Sequence, residues 1–178
     1  DGFPKDRYIA YHLERAKGGI AMTMTAGSAV VSKDSPPSFD NIQAYKDEVV
    51  PWIKKLTDTI HDQDCKIMIQ LTHLGRRTSW SKGDWLPSLS SGKHREPAHK
   101  AFPKVIENWD IKRIISEYGD AAARMKEGGM DGVELEGQGH LIGQFLSPLT
   151  NELETEYGGS LKNRLRFTLE VLSNIRKK

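Results

Sequence analysis

Apolar and polar positions along the chain follow two periods in turn. Residues 5–17 place Tyr8, Tyr11, Leu13 and Ala16 at helical spacing ahead of Gly18 and Gly19, predicting an amphipathic helix with a glycine stop. Residues 20–25 are apolar and rich in β-formers, which predicts a buried strand closed by Ala26 and Gly27. After a turn-rich segment, "DSPPSFDN", residues 42–63 carry Tyr45, Val49, Trp52, Ile53, Leu56 and Ile60 at helical spacing, with Pro51 expected to kink the helix. "CKIMIQLTH" predicts a second strand, and a long polar stretch over 75–108 follows it. Asp110 is expected to cap a helix on Ile111, Ile114, Ile115, Tyr118, Ala122 and Met125 that ends at Gly128 and Gly129. "DGVELEG" predicts a third strand, and Ser160 a last helix resting on Leu161, Leu165, Leu169, Leu172 and Ile175.

The order α-β-α-β-α-β-α predicts an α/β fold with a parallel sheet and helical crossovers. Such units suit a doubly wound sheet or part of a TIM (β/α)8 barrel. The long segments at 26–41, 73–109 and 137–159 all follow strand C-termini, where barrel enzymes build their sites, and this favours the barrel. Strand alternation sets Met68, Gln70 and Thr72 on one face against Ile67, Ile69 and Leu71 on the other, and Glu134 and Glu136 against Val133 and Leu135. With the apolar set on the helices, Gln70, Glu134 and Glu136 point into the barrel. A carboxamide there offers donors and an acceptor, which suits a heterocycle with adjacent carbonyl and N–H groups; satisfaction by backbone or water is the simpler reading.

The 26 Lys plus Arg nearly balance the 24 Asp plus Glu, so the net charge of +2 gives no footprint for nucleic acid. No apolar run is long enough for a membrane span, and the single Cys65 cannot form an internal disulfide, so the expectation is a cytoplasmic protein with neither nucleic acid nor membrane as partner. Cys65 and the six histidines lack ligand-like spacing, and no metal site is expected.

Three stretches, "GGIAMTMTAGSAVV", "IQLTHLGRR" and "DGVELEGQGHLIGQFLSPLTNELETEYGGSLKNRLRF", together resemble the old yellow enzyme family of FMN-dependent NADH:flavin oxidoreductases over essentially the whole chain. "GDWLPSLSSG", "REPAHKAFPK" and "GHLIGQFLSP" are most similar to the branch that includes trimethylamine dehydrogenase and the N-methylproline and related betaine demethylases. The resemblance implies FMN as cofactor, with NAD(P)H as a further one. It makes Ala26 and Gly27 the backbone beside the isoalloxazine, Gln70 the partner of the flavin pyrimidine, and His73 and Arg76 the H-x-G-R segment next to the flavin. Loop anchoring explains His73 and Arg76 equally well.

At the substrate pair the chain departs from the family. Where ene-reductases carry H-x-x-H or H-x-x-N, it has Glu136-Gly137-Gln138-Gly139-His140, one residue shorter. An ionised glutamate only accepts hydrogen bonds, so it disfavours a carbonyl and welcomes a cationic amine. Trp80 and Trp85 are expected to offer π faces to that cation, or else to pin their loop. Thr72 and Gln138 are expected near the substrate, and Glu136 or His140 to assist proton removal, His140 also being open to a packing role.

The reading is therefore oxidative N-demethylation of a small amine, with NAD(P)H-dependent ene reduction as the alternative in the same class. A non-catalytic folding module and a flavin-free barrel lyase complete the alternatives. Against a barrel of about 250 residues, the chain is expected to cover barrel strands two to four as a single fragment domain, inactive alone. Its apolar edge strands would favour association, here expected as a homo-oligomer. In the trimethylamine dehydrogenase relatives a 4Fe-4S cluster lies beyond the position of Lys178, outside these residues.

Overall fold

The computed structural model describes residues 2–35, 40–77, 86–98 and 102–178, with backbone only at 26–28. Helix α1 (Asp6–Lys17) leads into strand β1 (Met22–Val30), and a 3-10 turn at Asp47–Val49 opens α2 (Val50–His61). Strand β2 (Lys66–Thr72) follows, then short strands β3 (Leu89–Ser90) and β4 (Lys104–Val105), helix α3 (Asn108–Glu127) and strand β5 (Gly132–Leu135). Helices α4 (Leu141–Leu146) and α5 (Leu161–Lys177) complete the chain.

Strand β2 lies between β1 and β5 and pairs in parallel with both. Its alternation is as the sequence predicts: Ile67, Ile69 and Leu71 are buried under the helices, while Met68 and Gln70 are half-buried on the opposite face. Register puts Gln70 directly beside Glu134. The β1 ladder shifts between Thr25 and Ala29, so the backbone of Ala26, Gly27 and Ser28 bulges out of the pairing at the level of Gln70. Bulges of this kind re-aim the chain, frequently next to functional sites.

Several helical details differ from the sequence reading. Pro51 does not kink α2. It sits in the first turn, where its missing N–H costs nothing. Asp110 is the third residue of α3, not its cap. Glu107 caps the helix, and the Asp110 carboxylate reaches back to the Glu107 amide at 3.0 Å in a capping box. Helix α1 buries Ile9, His12 and Ala16 and leaves Tyr11 exposed, because the His12 ring bonds the Thr23 hydroxyl of β1 at 2.8 Å.

The largest difference is at α5, where Leu161, Leu169 and Leu172 are exposed and Phe167 and Val171 are buried instead. The cause is α4, which the sequence reading took as loop. Its Phe145 stacks on Phe167 with centroids 4.4 Å apart and so sets the rotation of α5. Ser160 caps α5 as expected, accepting from the Asn163 amide. Arg164 and Arg166, early in α5, both point back to the preceding segment. They donate to the carbonyls of Leu146, Gly159 and Glu156 and tie the preceding loop to the helix.

At the opposite end of the sheet from these loops, Asp131 accepts from the Ile67 amide at 2.8 Å and contacts His61 at 2.7 Å and Lys66 at 3.0 Å. Burial would raise its carboxyl, but these partners outweigh it and bring it to about 2 from 3.8. A carboxylate depressed on folding stabilises the folded state above its unfolded value and loses that contribution as pH falls through its folded one. Asp131→Ala is expected to cost about 1.5–3 kcal/mol at neutral pH. It should also flatten the acid dependence of urea midpoints between about pH 4 and pH 2, which denaturation across that range would measure.

Candidate active site

The C-terminal ends of β1, β2 and β5 converge, and a buried polar tie holds the chain beyond them. His73, directly after β2, is fully buried. Its Nδ1 accepts from the Gly75 amide at 3.0 Å, which assigns the ring proton to Nε2, and Nε2 donates to Asp34 at 2.9 Å. Asp34, on the segment after β1, also accepts from the Ser32 hydroxyl and from Arg113 of α3. Burial alone would raise the Asp34 carboxyl, but the hydrogen bonds from His73 and Ser32 and the Arg113 charge hold it well below the usual carboxylate range. The Tyr118 hydroxyl, on the same helix, accepts from the His73 amide at 2.8 Å. Three segments far apart in sequence are thereby fixed to one another.

A second tie centres on Gln144 of α4. Its Oε1 accepts from the Arg76 amide at 3.2 Å, and its Nε2 donates to the Gly139 carbonyl at 3.0 Å. Gly75 has φ +61°, and a Cβ there would collide with the Gln144 carboxamide, so this turn requires glycine. The Gln144 backbone carbonyl accepts from the Ser91 hydroxyl at 2.7 Å and the Thr150 hydroxyl at 2.8 Å. Glu152 accepts from the Lys93 amide at 2.7 Å and so joins the loops after β2 and β5; Glu154 and Glu156 are exposed.

Over this platform lie the residues with chemistry. The Gln70 Nε2 donates to Glu134 at 2.8 Å. His140 caps α4 with its backbone while its Nδ1 meets the Thr72 hydroxyl at 2.9 Å. Burial pushes the His140 imidazole below its ordinary 6.5, against an upward pull from Glu136 and further downward ones from Arg77 and His73. Glu136 accepts from the Gln138 amide at 2.6 Å, folding the 136–139 turn around its own carboxylate. Gln138 is exposed. Arg76 is half-buried and its guanidinium donates to the His94 carbonyl at 3.2 Å.

Of the residues singled out in the sequence, Gln70, Thr72, Glu136, Gln138 and His140 therefore lie at the ends of neighbouring strands. His73 and Arg76 are held in the framework beneath them. Ala26 and Gly27 form the bulge beside Gln70, and Trp80 and Trp85 lie outside the described residues. Asp34 and Gln144 were not anticipated. The partners that tie them to other segments, His73 and Arg113 for Asp34 and Arg76 for Gln144, lie 39 to 79 residues away, and no local pattern announces such pairings. Among the described residues no group of three or more His, Cys, Asp or Glu side chains forms a potential metal site, and no helix is long and apolar enough to cross a membrane.

Comparison with known proteins adds a family to this geometry. Residues 1–178 match the NADH:flavin oxidoreductase / NADH oxidase family. A probable N-methylproline demethylase of Rhizobium meliloti is 68% identical over 99% of the chain and 26% of its own length. A multifunctional alkene reductase/demethylase of Caballeronia cordobensis is 47% identical over 99% and 26%. The chain thus spans about a quarter of the length of these curated relatives. Morphinone reductase in complex with tetrahydroNAD superposes with a TM-score of 0.93 over 99% of the chain and 53% of that structure, at 24% identity. The parallel strands, their helical crossovers and this likeness give the fold as part of a (β/α)8 barrel.

Gln144→Ala should leave the sheet intact and loosen the two turns its side chain joins, at Gly75–Arg76 and at Gly139. We expect a stability loss of about 2–3 kcal/mol and faster amide exchange at Arg76, measured by hydrogen exchange; unchanged protection there would contradict the assigned tie.

Proposed function

The chain belongs to the NADH:flavin oxidoreductase / NADH oxidase family, and from that premise we propose that it carries the substrate side of an FMN-dependent oxidoreductase acting on small N-methylated amines. The observation that carries the reading is the Glu136 carboxylate at the end of β5, beside His140, in place of a pair of hydrogen-bond donors.

FMN suits the donor set. An isoalloxazine edge alternates carbonyl and N–H groups, and the Gln70 carboxamide beside a bulged backbone at 26–28 offers both donors and acceptors. Gln70 and the backbone of Ala26 and Gly27 would hold it, with His73 and Arg76 fixing the adjoining loop. Bound there, FMN supplies the two-electron acceptor for a hydride leaving the substrate's N-methyl carbon.

The chain's own residues supply binding and proton handling. Glu136 binds the protonated amine and gives a carbonyl oxygen nothing to accept. His140, with Nδ1 engaged by Thr72, uses Nε2 to take the ammonium proton and expose the nitrogen lone pair. Its depressed pKa keeps it neutral, and so able to act as a base, at pH 7. Loss of hydride gives an iminium, which water hydrolyses to formaldehyde and the demethylated amine. The relatives described as demethylases favour this reading. The Caballeronia relative's description as an alkene reductase also supports a second, NAD(P)H-driven reduction at the same site.

In the full-length protein, Glu136→Gln is expected to raise the KM for a cationic N-methyl amine about tenfold or more while flavin content stays constant. Unchanged amine turnover would sink the assignment. His140→Ala should lower kcat about a hundredfold. The acid limb of the wild-type rate profile should lie below pH 6.5, since the base is lost only when the imidazole protonates.

A further inference from the structure

We propose that Glu134 is a positioning residue for the flavin: its carboxylate fixes which way the Gln70 carboxamide faces and biases the reduction potential of the group bound there. The inference rests on the FMN reading above and goes beyond it, since nothing in that reading uses Glu134.

Gln70 and Glu134 are directly paired across the β2–β5 ladder, on the inward face of both strands, and both are half-buried. The Gln70 Nε2 donates to the Glu134 Oε2 at 2.8 Å. A carboxamide can be turned end for end with almost no change of shape, so only its partners decide where nitrogen and oxygen lie. Turned the other way, the Gln70 Oε1 would face a carboxylate oxygen, and two acceptors at that distance repel. Glu134 therefore selects one orientation, placing the amide nitrogen toward β5 and the carbonyl oxygen away from it. A heterocycle read by Gln70 meets that pattern of donor and acceptor and not its mirror.

The carboxylate has a second consequence. Glu134 carries negative charge on the inward, half-buried face where screening by water is reduced. Reduction of a flavin adds electron density to the pyrimidine end that Gln70 is assigned to hold. A fixed negative charge one residue away across the ladder opposes that gain. It disfavours the reduced form relative to the oxidised one and lowers the potential. Neither Glu136 nor Asp34 duplicates this role: Glu136 lies one pleat further along β5 in a half-exposed turn, and Asp34 is engaged by His73 and Arg113.

Two substitutions in the full-length flavoprotein separate these effects. Glu134→Gln keeps the shape and an acceptor for Gln70 but removes the charge. It is expected to leave the FMN Kd within about threefold and to shift the ratio of reduced to oxidised flavin about tenfold toward reduced, about 30 mV for a two-electron couple. Glu134→Leu removes the hydrogen bond as well, and FMN should bind about tenfold more weakly. Combined with Gln70→Leu it should weaken binding little beyond either single change, because both act through one contact. A potential unmoved in Glu134→Gln, or losses in Kd that multiply in the double variant, would overturn the assignment while leaving the flavin reading intact. A wild-type protein that binds no flavin would overturn both.

Discussion

Everything at the C-terminal end of this sheet depends on one buried hydrogen bond, from the His73 imidazole to the Asp34 carboxylate. Parallel strands release their chains at the same end, and those chains must be held against one another before any site can form there. Here the segment after β1 supplies the acid, the segment after β2 supplies the imidazole, and α3 supplies Arg113 and Tyr118. Both ring nitrogens of His73 are used, which locks the ring and forces the turn at Gly75. Gln144 then attaches α4 to that turn, and α4 carries His140 at its start. Removing Asp34 would leave the buried His73 Nε2–H without its acceptor and the loop unanchored, a costly combination.

On that framework the placement of charge decides the chemistry. In the proposed reaction a carboxylate just after β5 takes the cation and a neutral imidazole beside it takes the proton. Burial lowers the imidazole and keeps it a base, while Thr72 fixes which nitrogen is presented. One pleat lower, Glu134 turns the same sheet face into a selector for the orientation of Gln70. The proposal thus gives the cofactor to the sheet face that carries Gln70 and Glu134, and substrate and proton to Glu136 and His140 in the turn beyond β5.

Period-two alternation in "KIMIQLT" and "DGVELEG" was enough to place Gln70, Glu134 and Glu136 on one face, because a buried strand leaves side chains only two directions. Helical spacing placed α3, and α2 from Val50 onward, though not the expected turns at 42–49. It failed at α5, whose leucine stripe is exposed, because the true partner is a stacked aromatic on the six-residue α4, too short to show a helical period. It failed also for Asp34 and Gln144. Both sit in turn-rich segments where only three-dimensional neighbours give a polar residue its meaning. Asp110 was misread within one helical turn, where a cap becomes its reciprocal partner, and Pro51 because α2 starts at Val50 and not at residue 42, which makes a breaker a starter.

The central claim is that this site takes electrons from an amine. Its most direct test is anaerobic mixing of the full-length, oxidised flavoprotein with a cationic N-methyl amine in the absence of nicotinamide, following flavin absorbance. The account predicts bleaching of the flavin with release of one formaldehyde per flavin reduced. Absorbance that stays constant with amine, falls only with NAD(P)H and returns on adding an enone would contradict it.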